Sequence, residues 1–129
     1  MKLHQDNNDN ANVVTGYGDD HITVNKVRHD GNLILTADSI HAPWAPLVRG
    51  DLVALSAEDL AAVAALRPEI VIVGTGRRQR FPAPLLLRPL IEARIGFEFM
   101  DLAAACRTYN ILVAESRSVA LALLFEAAP

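Results

Sequence analysis

The stretch Gly74-Thr75-Gly76-Arg77-Arg78-Gln79-Arg80-Phe81 gathers residue types that hold anions: two glycines, a hydroxyl and three guanidinium groups. Glycines let a ligand approach the backbone closely. Free N–H groups and arginine forks then suit a carboxylate or a phosphate. The spacing departs from the nucleotide signatures, because glutamine occupies position 79 where G-x-G-x-x-G needs its third glycine. The phosphate-loop pattern G-x-x-x-x-G-K-[ST] does not occur either. Two readings of Gly74–Arg80 stay open: a site for a small anionic or nucleotide-like ligand, and a tight turn with a solvated basic rim.

Other chemistry is thinner. The histidines stand at 4, 21, 29 and 41, with no pair at the three- or four-residue spacing of helical metal ligands and none near Cys106 in sequence. No metal and no cofactor are expected. The serines are 39, 56, 116 and 118, and no G-x-S-x-G elbow surrounds any of them. Cys106 follows an inward alanine and reads as a small buried or half-buried thiol. Glu58 and Asp59 suit a helix N-terminus through the dipole, Asp19 and Asp20 belong to a turn, and Glu115 with Arg117 suits a salt bridge that fixes a corner. Trp44, the single tryptophan, either anchors its loop over the core or presents a binding face. Asn110 inside a helix implies a hydrogen bond that repays its poor propensity, to a neighbouring loop or to a ligand. No catalytic residue emerges.

Composition bounds what can position these groups. The chain has 129 residues, the size of one domain. At 51% hydrophobic, 21% charged and a mean hydropathy of +0.21 it sustains a core and is not disordered for most of its length. No apolar run approaches the roughly 18 residues of a membrane span. The start, MKLHQDNNDN, lacks the apolar stretch of a secretory signal. One cysteine allows no internal disulfide. A cytoplasmic protein without membrane insertion is expected. Residues 1–66 carry four basic and nine acidic side chains, and residues 67–129 eight and six, for a net charge of −3. An acidic chain with one modest arginine cluster is a poor nucleic-acid binder, since that affinity rests on neutralising many phosphates.

The periodicity divides the chain in two. Residues 1–12 read as a mobile arm and residues 13–127 as one domain. Alternation over Val13–Tyr17, His21–Val27 and Asn32–Thr36, with a tight hairpin at Asp30-Gly31, predicts an antiparallel β meander. Pro43, Trp44 and Pro46 keep Ser39–Gly50 out of a helix. Ser56, with Asp59 three residues on, opens a helix over Ala57–Arg67 that Pro68 stops, burying Leu60, Val63 and Ala64. Ile70-Val71-Ile72-Val73, β-branched on both faces, predicts a strand covered on both sides. A helix over Pro84–Arg94, irregular at Pro89 and stopped by Gly96, precedes a strand at Phe97–Met100. Asp101 caps a helix over Leu102–Ala114 with Ala105, Tyr109 and Leu112 inward. Val119–Phe125 reads as a strand or as a continuation of that helix. Strand–helix alternation after residue 50 argues for an α/β layered fold.

Three segments then resemble one family: PEIVIVGTGRRQRF ending at Phe81, IGFEFMD from Ile95 to Asp101, and AAACRTYNILVAESR from Ala103 to Arg117. Their order and spacing are similar to the Mth-type domain of unknown function, which includes mitochondrial complex I assembly factor 3, the adipogenesis-associated Mth-domain protein and many short bacterial proteins. The resemblance covers about residues 15–125. It implies an α/β, three-layer fold with a mixed central sheet, an N-terminal antiparallel meander and about three helices, and it makes the last apolar stretch a strand. It supplies no catalytic residue. Leu102 stands where such sequences often have threonine. Ser116 stands where glycine is usual, so a left-handed turn there carries a cost or is not formed.

A non-catalytic protein-binding module, similar to the respiratory complex I assembly factors, is therefore expected. Its partner would be a protein, by analogy a respiratory-chain or membrane-complex subunit, and the chain itself a monomer or weak homo-oligomer. The expected surface comprises Trp44, Gly74, Thr75, Gly76, Arg77, Arg78 and Arg80, with Met100, Asp101, Tyr109, Asn110, Glu115 and Arg117 as polar or special positions at strand ends and helix junctions.

Overall fold

The computed structural model describes residues 10–128. Strands β1 (Val14–Tyr17), β2 (His21–Val24) and β3 (Val27–Asp30) form an antiparallel meander in the order β1-β2-β3. A second, mixed sheet has the order β5-β4-β8-β6-β7, with β4 (Leu33–Thr36), β5 (Ser39–His41), β6 (Ile70–Gly74), β7 (Gly96–Met100) and β8 (Val119–Leu123). In that sheet β6 runs parallel to both β7 and β8, while β4 is antiparallel to β8 and to β5. The helices are α1 (Ala57–Ala64), a 3₁₀ turn at Pro84–Leu87 running into the short α2 (Arg88–Glu92), and α3 (Leu102–Ala114).

The layering follows from the strand order. From β6 the chain moves outward to β7 and then returns past β6 to β8. Two crossovers of the same hand in opposite directions place α2 and α3 on opposite faces. On one face Leu60, Val63 and Leu90 pack with Val71, Val73, Ala120 and Ala122. On the other, α3 presents Ala105, Cys106, Tyr109 and Val113 to Ile72, Leu121 and Leu123, and the meander adds Val14, Ile22 and Val24 to that cluster. Alternate residues of Val71–Val73 feed different clusters, as a strand covered on both sides requires.

Local chemistry sets the boundaries. Ser56 accepts from the Asp59 amide at 3.0 Å while the Asp59 carboxylate accepts from the Ser56 amide at 2.9 Å, a complete capping box. Asp101 accepts from the Ala104 amide at 2.9 Å and starts α3. The helix expected to reach Arg67 ends at Ala64, and its last turn closes with Arg67 at φ +54°. The Pro84–Arg94 helix is split, with 3₁₀ geometry before Pro89 and only Arg88–Glu92 α-helical. Its left-handed stop is Arg94 at φ +58°, and Gly96 begins β7 instead.

The expected strand His21–Val27 is broken. Asn25 (φ +48°) and Lys26 (φ +71°) form the tight turn between β2 and β3, so the hairpin lies here and not at Asp30-Gly31. Gly31 (φ +82°) instead lets the chain leave the meander for β4 in the other sheet. Of the expected arm, residues 1–9 lie outside the described residues. Ala11 is in the core, and Asn12 is tied down by its amide to the Ala37 carbonyl at 2.8 Å and its side chain to the Thr36 carbonyl at 3.0 Å.

Candidate functional site

The strand β6 delivers its exit turn to the end of the sheet where β7 and β8 also end. Gly74 is packed: a Cβ there would lie 2.8 Å from Leu123 Cδ2 and 3.1 Å from the Ala105 Cβ, so its bareness lets α3 sit close on the sheet. Thr75 is buried, and its groups are engaged within the turn. Its amide donates to the Met100 carbonyl at 2.9 Å, its hydroxyl to the Arg78 carbonyl at 2.9 Å, and Oγ1 accepts from the Arg80 amide at 2.9 Å. Gln79 donates to the Phe99 carbonyl at 2.7 Å.

The anion in the turn belongs to the chain itself. Glu126, beyond β8, receives the Arg77 amide at 2.8 Å and Arg80 Nη1 at 2.9 Å on the same oxygen, Oε2. These donors hold its carboxyl below the ordinary range, the Arg77 amide foremost and the Arg80 guanidinium next, against an opposing effect of burial. Arg80 is 9% exposed and also donates to the Thr75 carbonyl at 2.7 Å. The Arg77 side chain reaches outward to Asp19 of the β1–β2 turn, at 2.7 and 3.3 Å. Arg78 pairs with Asp51. A cleft of about 360 Å³ beside the turn is lined by Tyr17, Asp19, Arg77, Asp101 and Glu126 among others.

The remaining expected residues disperse. Met100 gives its carbonyl to Thr75 and its sulfur to the Thr108 hydroxyl, and Asp101 caps α3. Tyr109 is buried, its hydroxyl donates to the Asn12 carbonyl at 2.8 Å, and burial raises its pKa. Asn110 accepts from the Val14 amide at 2.9 Å and donates to the Val14 carbonyl at 2.8 Å, so it bonds the backbone of β1 as a strand neighbour would. Trp44 is buried and donates to the Asp59 carbonyl at 3.0 Å; it anchors its loop beside α1 and presents no binding face. Glu115 and Arg117 precede β8, at the opposite end of β6 and β8 from the Gly74 turn. Arg117 pairs with Glu69 at 2.6 and 3.0 Å rather than with Glu115. The left-handed turn does form on a non-glycine residue, with Ser116 at φ +61°.

A Ser–His contact does exist, at Ser39 Oγ and His41 Nε2, 2.9 Å apart. Thr36 donates to Asp38 at 2.9 Å and lies 2.6 Å from Ser39 Oγ. Together the four side chains make one hydrogen-bonded chain on the β4–β5 hairpin. Cys106 is buried and its pKa is pushed up to about 12 by desolvation, the state of an inert thiol. Among the described residues, no group of three or more His, Cys, Asp or Glu side chains could hold a metal ion. No helix among them is long and apolar enough to cross a membrane.

Two residues central to this arrangement were not singled out from the sequence, Glu126 and Asn32, and Asp19 was read only as part of a turn. The buried Asn32 side chain donates to the Ala45 and Pro46 carbonyls and accepts from the Phe125 amide at 2.7 Å, holding the Trp44 loop against the β8 exit. A lone polar residue beside an apolar strand was its available signal. Glu126 offered none, lying 46 positions from Arg80, and nothing at Asp19 pointed to Arg77, 58 positions away.

This α/β layering defines the class. The chain belongs to the family described as protein of unknown function DUF498/DUF598, whose pattern matches residues 14–124. It is similar to the solved structure of a Bordetella pertussis protein described as a Mth938-like domain, with a TM-score of 0.73 and 34% identity over 90% of this chain and 88% of that one. It is 32% identical over 74 residues to the 13 kDa major membrane protein of Francisella tularensis subsp. holarctica, 57% of this chain and 60% of that one. It is 41% identical over 58 residues to NADH dehydrogenase [ubiquinone] 1 alpha subcomplex assembly factor 3 of Xenopus tropicalis. That match takes in 45% of this chain and 32% of the frog protein, so in both cases it spans less than two thirds of the relative.

Proposed function

We propose that the protein is a non-catalytic protein-binding module of the cytoplasm whose docking face is the outer side of the Arg77–Phe81 turn together with the β7 edge of the sheet. The observation that carries this is the division of the turn into two sides. Its inner groups bond one another and Glu126, while Phe81, 65% exposed, lines a largely apolar cleft of about 330 Å³ with Pro82, Pro84, Leu87, Phe97, Phe99 and Glu98. Leu85, next to Pro84 in the chain, is 78% exposed. Aromatic and arginine side chains around such a cleft are the composition of binding hot spots. The Arg77–Asp19 and Arg78–Asp51 pairs are exposed and worth about 0–1 kcal/mol each, so a partner's carboxylates can replace Asp19 and Asp51 at little cost. Similarity to an assembly factor for NADH dehydrogenase supports a client among respiratory-chain or membrane-complex subunits.

The test is affinity capture with the tagged full chain, comparing wild type, the double variant Arg77→Ala/Arg78→Ala, and Phe81→Ser. One or more subunits recovered with wild type should fall about tenfold with each variant, the loss of a single hot spot. Recovery of the same proteins at equal yield by all three would refute the docking face, and recovery of none by wild type would refute the binding role.

A further inference from the structure

We propose that the Gly76–Arg80 turn is a carboxylate-receiving site, occupied in this structure by the protein's own Glu126, and that an external carboxylate takes the same place when the Glu126 side chain swings out. This goes beyond the docking face, which uses outward side chains and leaves the pocket inside the turn unassigned.

Three observations carry it. The Arg77 amide and Arg80 Nη1 converge on one oxygen, Oε2, at 2.8 and 2.9 Å. Gly76 holds φ +90°, and a Cβ there would lie 2.7 Å from that oxygen, so the backbone is bare where the carboxylate rests. The chain is pinned on both sides of Glu126, by the Val48 amide to the Phe125 carbonyl at 2.8 Å and the Ala127 amide to the Val48 carbonyl at 2.7 Å. The backbone at Glu126 is thus held without help from its carboxylate.

The surroundings choose the class of anion. The clefts on the two sides of Glu126, about 360 and 770 Å³, carry the carboxylates of Asp19, Asp20 and Asp101 beside Arg77 and Arg80. With Glu126 swung out the three carboxylates still outnumber the two guanidinium groups, which opposes a phosphate or a nucleotide more than a single negative charge. A monocarboxylate fits, borne by a free acid or by an Asp, Glu or chain terminus of a peptide.

The experiment is a ¹⁵N NMR titration of the full chain that follows the Arg77 amide and the Arg80 Nη–H signals. Wild type, Glu126→Ala and Glu126→Gln are each titrated with acetate, with an N-acetyl-Gly-Glu dipeptide amide, and with inorganic phosphate. In Glu126→Ala, acetate should saturate both signals with a Kd about tenfold or more below wild type, because the internal competitor at high effective concentration is gone. Glu126→Gln, an uncharged occupant of the same shape, should fall between. A dipeptide that binds tighter than acetate identifies peptide carboxylates as the source; equal affinity identifies free acids. The proposal is overturned if Glu126→Ala shows no saturable shift at about 100 mM acetate. It is also overturned if all three proteins share one Kd, or if phosphate binds more tightly than acetate. Should Glu126→Ala fail to fold, the comparison of Glu126→Gln with wild type decides in the same way. None of these readouts depends on a partner protein, so the docking face is refuted separately.

Discussion

Replacing Asn110 by alanine isolates the contact that ties the first strand to the third helix. The amide side chain makes two bonds to one residue, accepting from the Val14 amide and donating to the Val14 carbonyl across 96 positions of sequence. Val14 is buried, so water does not freely replace the lost partner. Two net hydrogen bonds at about 1 kcal/mol each, with some further cost for a dry N–H or C=O, give a loss of about 2–3 kcal/mol. For a domain of this size that lowers Tm by about 10 °C. Urea denaturation should show a lower midpoint at unchanged slope, and hydrogen exchange at the Val14 amide should accelerate in step. Asn110→Asp should do worse at neutral pH, because a carboxylate accepts from the Val14 amide but faces the Val14 carbonyl with no proton to give. A loss below about 0.5 kcal/mol with Val14 exchange unchanged would refute the reasoning, and would return Asn110 to the set of residues available to a ligand.

Further outcomes follow from the turn and the core. Gly76→Ala combines a positive φ with a methyl 2.7 Å from the Glu126 carboxylate, and should cost about 1–3 kcal/mol in thermal unfolding while shifting the Glu126 carboxyl signal in NMR. Cys106, buried and with its pKa pushed up to about 12, should resist a thiol reagent at pH 8 in the native protein and react fully in urea. Because the folded pKa of Glu126 is depressed, its contribution is complete above the ordinary value of 4.5 and is lost as pH falls through the lower folded value. The decline of stability with pH below 4.5 should accordingly be shallower in Glu126→Gln than in wild type, measured by urea midpoints across that range.

How much of this was legible depended on whether the determining interaction was local. Ile70–Val73, the Ser56–Asp59 cap and the Asp101 cap could be read because their apolar faces and side-chain oxygens act within a few residues. The β2–β3 turn could not. Asn25 accepts a left-handed conformation readily, but Lys26 at φ +71° is not announced by its type, and the alternation of Ile22 and Val24 seems to run on through it only because side chains on both strands of a hairpin alternate alike. Ser116 makes the same point, since a left-handed serine is chosen by the need to turn α3 into β8 rather than by its own preference. Tyr109 and Asn110 looked like site residues because polar groups within a helix demand partners. The partners turned out to be the backbone of Asn12 and Val14, which no local pattern links to them.

The glycine–arginine turn shows why residue types can indicate a chemistry without identifying what meets it. Of the two glycines, the threonine and the three arginines, it is the Arg77 amide and the Arg80 side chain that bond a carboxylate, that of Glu126, with Gly76 bare beside it. What fills the turn is decided by Asn32, which receives the Phe125 amide, and by Val48, which bonds the chain on either side of Glu126. These contacts fix the segment after β8 so that one carboxylate reaches Arg77 and Arg80, and none of them lies within 25 positions of the turn. The same fixation divides the labour of the arginines. Arg80 is held inside against the resident carboxylate, Arg77 lies between Asp19 at 2.7 Å and Glu126 Oε1 at 3.8 Å, and Arg78 pairs with the exposed Asp51. What the turn holds is therefore set by contacts far from it in sequence, and not by its residue types alone.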